Sequence, residues 1–274
     1  MRVARCVGLA ALAACGIDVQ GTRPDAPDAS VDGGAPWDGA TPQDDASAPS
    51  RGPIVAYTFT EGAGARTADV SGVEPAAPLE IESPGGGGFA WNADGLELSG
   101  ALARSTGAQK VYDACTASGA ITVEAWLTPA TATQGGPARA FTYSSGDVDA
   151  RNFTIGVGSD SGGTPGSRYL LRFGTTTQVN FEVASGTQAV KTALQHVVGA
   201  FARGASRLWV DGTSRADGRN GGELKWRTDA VLAVGGEPGR TDRPFRGTLS
   251  YAAVFCRELD DAEVRARFAA GPPR

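Results

Sequence analysis

The chain has 274 residues, a formal net charge of −5, 39 Gly and 4 Cys. That length suits one large domain or two small ones, and the acidic balance argues against a nucleic-acid binder, which carries a basic surface. Abundant Gly, few Lys and a single Met argue against a long helical bundle.

Residues 1–15 read MRVARCVGLAALAAC. Arg2 and Arg5 precede an apolar run from Val7 to Ala14. That run is too short to cross ~30 Å of hydrocarbon as a helix and fits the h-region of a secretory signal. It ends in Leu12-Ala13-Ala14-Cys15, which resembles the lipobox of bacterial lipoproteins. The resemblance implies cleavage before Cys15, acylation of Cys15 and the membrane as a partner. Gly16 in place of Asp then points to the outer membrane, on its periplasmic side or at the cell surface. An ordinary secretory signal that happens to contain Cys15 is the alternative.

Residues 16–52 hold seven Asp, five Pro, six Gly and six Ala, with only Ile17, Val19, Val31 and Trp37 as large apolar residues. Such a segment cannot bury enough surface to offset its ordering entropy, so it is expected to be a disordered acidic tether. As a flexible coil its ends would lie roughly 35 Å apart. Seven Asp against Arg23 and Arg51 put most of the chain's acidity here.

From residue 53 onward, short apolar runs alternate with Gly, Asp, Ser and Pro. Expected strands are Ile54–Phe59, Leu79–Glu82, Gly95–Leu98, Ile121–Leu127, Ala140–Tyr143 and Phe153–Val157. Further on come Tyr169–Phe173, Val179–Val183, His196–Phe201, Arg207–Val210, Val231–Val234 and Thr248–Phe255. A dozen such runs predict an all-β sandwich or jelly roll of two antiparallel sheets. In Leu79-Glu80-Ile81-Glu82 the apolar side chains share one face and the carboxylates the other. Helices are expected near 108–116 and 261–269, the second with Asp260 as N-cap and Gly271-Pro272-Pro273 as its stop. With no second break in composition, residues 53–274 read as one domain.

Several blocks of the domain follow one another in a recognisable series. They are Val55-Ala56-Tyr57-Thr58-Phe59-Thr60-Glu61-Gly62-Ala63-Gly64, Asp69-Val70-Ser71-Gly72, Trp91 to Leu98, and Ile121-Thr122-Val123-Glu124-Ala125-Trp126-Leu127. Gln195-His196-Val197-Val198, then Arg207-Leu208-Trp209-Val210-Asp211-Gly212, and Phe245 to Val264 complete the order. In this order the blocks resemble laminin-G-like, concanavalin A-like domains, which implies a concanavalin A-like jelly roll, a fold that serves lectins, adhesion modules and glycosidases alike.

A glycosidase needs two carboxyl groups flanking the scissile bond. The one-strand E-x-D-x-x-E arrangement of the glucanase branch does not occur in the sequence. Glu124 and His196 fall in family strands and read as structural, and a single His gives no basis for a zinc site. Calcium is the cofactor the loop acids suggest, with Asp69, Asp94, Asp147 and Asp149 as candidate ligands; solvated loop acids are the alternative. Leu208 and Val210 share a face, which leaves Trp209 on the other as a partly exposed sugar platform. Trp226, after a Gly-rich turn, is the second candidate; burial in the core is the alternative for both. Outside the cytoplasm the remaining cysteines, Cys115 and Cys256, are expected to bond.

The sequence thus points to a lipid-anchored, non-catalytic binding or adhesion module, with a glycan or an envelope or extracellular protein as partner. A glycoside-active enzyme with an atypical acid pair and a purely structural envelope protein are the alternatives.

Overall fold

The structure, a computed structural model, describes residues 52–146, 151–159 and 165–274; Cys15, Asp147 and Asp149 lie outside them. In chain order the strands are β1 (Val55–Tyr57), β2 (Arg66–Thr67), β3 (Leu79–Glu82), β4 (Gly88–Asn92), β5 (Gly95–Ser99) and β6 (Leu102–Ser105). Helix α1 (Gln109–Ser118) follows, then β7 (Ala120–Pro129), β8 (Gln134–Gly135), β9 (Ala138–Ser144), β10 (Arg151–Gly158), β11 (Pro165–Gly166) and β12 (Arg168–Phe173). The chain continues through β13 (Phe181–Ala184), β14 (Gln195–Ala202), β15 (Ala205–Val210), β16 (Thr213–Arg219), β17 (Val231–Val234) and β18 (Arg246–Phe255) to α2 (Asp261–Ala270).

Two eight-stranded antiparallel sheets form the sandwich. Sheet 1 runs β16-β15-β14-β7-β18-β5-β4, with β1 also paired to β18; sheet 2 runs β13-β12-β10-β9-β17-β6-β3-β2. β8 and β11 make a separate two-stranded ribbon.

The main core lies between the sheets and contains Leu96, Val123, Phe141, Phe153, Leu171, Phe201 and Leu232. Period-2 alternation aims these side chains inward. In β3 the pattern is plain: Leu79 and Ile81 are buried, while Glu80 pairs with Arg66 and Glu82 with Arg104 across neighbouring strands. β7 and β18 are buried along nearly their whole length, because both of their faces are covered. A second apolar cluster, including Trp126, Val198, Trp209, Phe255, Leu259 and Val264, lies on the outer face of sheet 1 beneath α2.

The two helices are secured differently. Asp260 caps α2, accepting from the Ala262 and Glu263 amides, while Glu263 accepts from the Asp260 amide. This reciprocal box satisfies donors that a helix start leaves bare. α1 has no side-chain N-cap. It is instead tied at one end by Lys110, whose ammonium pairs with Asp69, and at the other by the Cys115–Cys256 disulfide.

Candidate functional site

On the outer face of sheet 1, Glu124 of β7 and His196 of β14 sit side by side, 0% and 1% exposed. His196 Nε2 lies 2.8 Å from Glu124 Oε1, and Glu124 Oε2 accepts from Arg267 of α2 at 2.7–2.8 Å. The Trp126 ring stacks on His196 at 4.5 Å, and Phe268 of α2 stacks over both. Burial pushes the Tyr251 hydroxyl up to about 12, and the neighbouring Glu124 carboxylate adds to this. These groups anchor α2; none faces an open cleft.

The same lid corrects the expected Trp209 platform. Strand alternation does put Trp209 on the outer face, but α2 covers it, leaving it 1% exposed. Its Nε1 donates to Asp261 Oδ1 at 2.7 Å, and the Arg207 guanidinium lies 5.4 Å from the ring centroid. Trp209 is therefore a packing residue.

Of the acids expected to bind calcium, Asp147 and Asp149 lie outside the described residues, and Asp69 and Asp94 have separate surroundings. The Asp69 side chain is buried, and its oxygens accept from the Ala56, Ser71 and Ala77 amides as well as from Lys110. Lys110 Nζ also donates to the Val73 carbonyl, so an ammonium stands where a cation would have to sit. Burial alone would raise the Asp69 carboxyl; Lys110 and the amide donors outweigh it and hold the group below its ordinary value. Asp94, in the β4–β5 turn, is exposed and lines a cleft of about 440 Å³ with Thr58, Thr60, Thr128 and Ser250. Among the described residues, no three His, Cys, Asp or Glu side chains are grouped to hold a metal ion.

Sequence reasoning missed a buried charge cluster beside sheet 2. Glu237, 0% exposed, accepts from Ser144 Oγ at 2.9 Å and from Arg151 Nε at 2.7 Å. Arg139 Nε is also 2.7 Å from Glu237 Oε2, though not aligned as a hydrogen bond. Burial pulls the Arg139 guanidinium down to about 10, against the pull of Glu237. At the rim, hydrogen bonds from Arg240 and Arg243 hold Asp242 well below the usual carboxylate range. Glu237 lies in Gly235-Gly236-Glu237-Pro238-Gly239, which reads as a polar turn, so nothing local signals its burial. Hydrogen bonds from Lys110, Arg227, Arg240 and Arg257 hold Asp69, Asp229, Asp242 and Glu263, respectively, below their ordinary values. All are displaced toward carboxylate, the opposite of what a general acid requires.

Trp226 meets different surroundings. It is half-buried, with the Tyr112 ring edge-on at 6.3 Å and the Tyr143 ring at 6.2 Å. These rings fix its orientation, and it lines a cleft of about 540 Å³. The opposite walls are the C-terminal end of α1, the β14–β15 turn with Arg203, and Gly221 to Leu224. A second cleft of about 510 Å³ shares Ser118, Gly119 and Arg203 and runs on to the disulfide at Cys256, to Arg207 and Arg257, and to Glu258 and Asp260. Together they form one groove across this end of the sandwich. A half-exposed aromatic ring beside hydrogen-bonding groups in a cleft of this size is suited to a sugar ring.

The sequence profile described as the concanavalin A-like lectin/glucanases superfamily matches residues 103–265, more than half of the chain. No curated protein matches the sequence. Domain 4 of AbnA, an extracellular arabinanase from Geobacillus stearothermophilus solved with arabinotriose, is similar in structure. Its TM-score is 0.54 at 15% identity, over 78% of this chain and 97% of that one. A Trypanosoma rangeli sialidase in complex with 2,3-difluorosialic acid gives 0.55 at 17% identity, over 80% of this chain and 33% of that one. The binding domain of botulinum neurotoxin DC in complex with SialylT gives 0.55 at 9% identity, over 80% and 52%. The chain thus spans a third of the sialidase and about half of the toxin domain; at these identities the likeness is one of fold.

Proposed function

We infer function from one premise: this chain belongs to the concanavalin A-like lectin/glucanases superfamily. We propose that it is a carbohydrate-binding module without catalytic activity. The observation that carries the reading is Trp226, held by two tyrosine rings and half-exposed in the groove beside α1. Similar structures were solved with arabinotriose and with a sialic acid derivative, which agrees with a sugar as the partner. The buried acids support the non-catalytic reading. Glu124 and Glu237 are each held by ion-pair partners, and Asp69 is tied to Lys110. A glycosidase needs one carboxyl kept protonated and another free to attack or to activate water.

We also propose that residues 53–274 form this module and that residues 16–52 tether it to a lipid on Cys15, at the outer membrane. The Leu12-Ala13-Ala14-Cys15 block supports this. Several acyl chains, at ~0.8 kcal/mol per buried methylene, anchor such a chain stably.

A glycan array probed with the wild-type chain and a Trp226→Ala variant tests the binding reading. Retained glycans that the variant loses are expected; an empty array, or an unchanged pattern with the variant, removes it. Hydrolysis of any bound glycan would restore the enzyme alternative. For the anchor, labelling with a palmitate analogue should mark the wild type and spare a Cys15→Ala variant.

A further inference from the structure

Sheet 1 carries two tight hairpin turns of the same geometry. β14 and β15 are joined by Arg203-Gly204, with φ of 51° and 72°; β15 and β16 are joined by Asp211-Gly212, with φ of 52° and 69°. Positive φ at both central residues favours Asn, Asp or Gly at the first position, because a larger side chain crowds its own backbone there. Asp211 fits that preference and is tied down: its carboxylate accepts from the His196 amide and from Gln195 Nε2, each at 3.0 Å. Arg203 does not fit it. It is exposed, and its guanidinium has no hydrogen-bond or ion-pair partner among the described residues. The fold therefore keeps an arginine at positive φ whose guanidinium pairs with none of the described residues, and such strain points to a use outside the fold.

Arg203 stands between the two halves of the groove and lines both. Across the Trp226 half, Glu223 is also exposed and does not pair with Arg203. Gly119 and Gly221 line the same half, and a Cβ built on either would meet nothing within 4 Å. Here the wall is bare backbone that a ligand can approach closely.

We infer that the groove takes a sugar bearing a carboxylate, a uronate or a sialate, with its ring on Trp226 and its carboxylate on Arg203. This rests on the proposal that the Trp226 groove is the glycan site. The planar guanidinium presents two parallel N–H donors that match a carboxylate. Glu223 fixes the direction. It repels the acidic edge of the sugar and accepts from hydroxyls, so the carboxylate faces Arg203.

The test titrates the full chain calorimetrically with tetragalacturonate and with sialyllactose, each beside its methyl ester. At least one acid form should bind tenfold or more tighter than its ester, and that preference should weaken as salt is raised. Arg203→Asn keeps the turn, since Asn-Gly is a favoured pair there. It should erase the preference and leave the ester's affinity unchanged. Trp226→Ala should weaken acid and ester together.

Equal binding of acid and ester, or a preference that survives Arg203→Asn, overturns the assignment. If Trp226→Ala still abolishes binding in that case, the groove remains the glycan site and only the acid preference falls. Binding of neither sugar in either form overturns the inference as well, and the glycan array then decides separately whether the groove binds any sugar. An unfolding midpoint of Arg203→Asn no lower than wild type shows that any lost binding is not lost folding.

Discussion

The two helices of this sandwich treat their neighbouring tryptophans in opposite ways. α2 lies over the outer face of sheet 1 and seals Trp209 beneath it; α1 packs beside the groove and leaves Trp226 half-exposed. Both tryptophans look alike in the sequence, since each follows a polar or Gly-rich stretch and each is a plausible platform. What separates them is a cover that strand alternation does not encode. α2 brings its own caps and a row of contacts to Glu124, Trp209 and the Trp126–His196 stack. α1 lacks a side-chain cap and is held by Val111 in the core, by Lys110 paired with Asp69 and by the disulfide. The stably covered tryptophan is a structural part, and the open one is a candidate for binding.

The largest effect that tests this contrast is on stability. Trp209→Ala should cost about 3–5 kcal/mol, because it empties a fully buried volume and strips Asp261 of its indole donor. Trp226→Ala should cost clearly less, since part of that ring already faces water, while weakening glycan binding. Denaturant midpoints and a binding titration on both variants decide it. Equal destabilisation, or binding lost with Trp209→Ala while the fold persists, breaks the distinction.

Next in size is the disulfide. Its loop of 141 residues gives roughly 5 kcal/mol at most in the loop-entropy picture, and measured cases fall nearer 2–4. Replacing Cys115 and Cys256 together by Ser should lower the midpoint by about that amount. The loss should concentrate where α1 meets the groove, so hydrogen exchange should rise in Gln109–Ser118 and leave Asp261–Ala270 near wild type. Uniform exchange in both helices would mean that the bond does not serve α1 in particular.

Much of this was legible. The apolar runs located the long strands because each has at least one buried face, and Leu79–Glu82 keeps the bounds its alternation suggested. β16 escaped notice because Thr213–Arg219 is a polar edge strand that buries almost nothing, and β4 because Gly88–Asn92 is half exposed. Asp260 announced α2 through its cap, whereas α1 begins after an uncapped Ala108 and ran two residues past the expected end. The Glu237 cluster was hidden for a different reason. Arg139, Ser144, Arg151 and Glu237 are scattered along the chain, and only the pairing of β9 with β10 and β17 assembles them.

Acid provides a smaller and more selective test. The folded Asp69 carboxyl is held below its ordinary value, so it favours folding fully above the unfolded value of about 3.9. That contribution is lost as pH falls from there through the lower folded value. Stability followed below about pH 4 should drop less steeply in Asp69→Asn than in wild type, with the difference seen around α1. Identical slopes would show that the Lys110 pair does not hold this helix.

The smallest expected effect runs in the other direction. Most substitutions at a functional groove lose stability or leave it unchanged, but Arg203→Asn should gain it. Asn enters the left-handed region at lower cost than Arg, and among the described residues the guanidinium has no hydrogen-bond or ion-pair partner to lose. A gain of about 0.5–1 kcal/mol, or roughly 1–4 °C in midpoint for a domain of this size, is expected. The same change at the matching turn, Asp211→Asn, should bring no gain, because Asp already suits the turn and its carboxylate anchors the His196 amide and Gln195. If Arg203→Asn were destabilising, Arg203 would be contributing to the fold after all. The reason for reading it as a ligand contact would then disappear, and with it the clearest difference between a turn built for stability and one built for use.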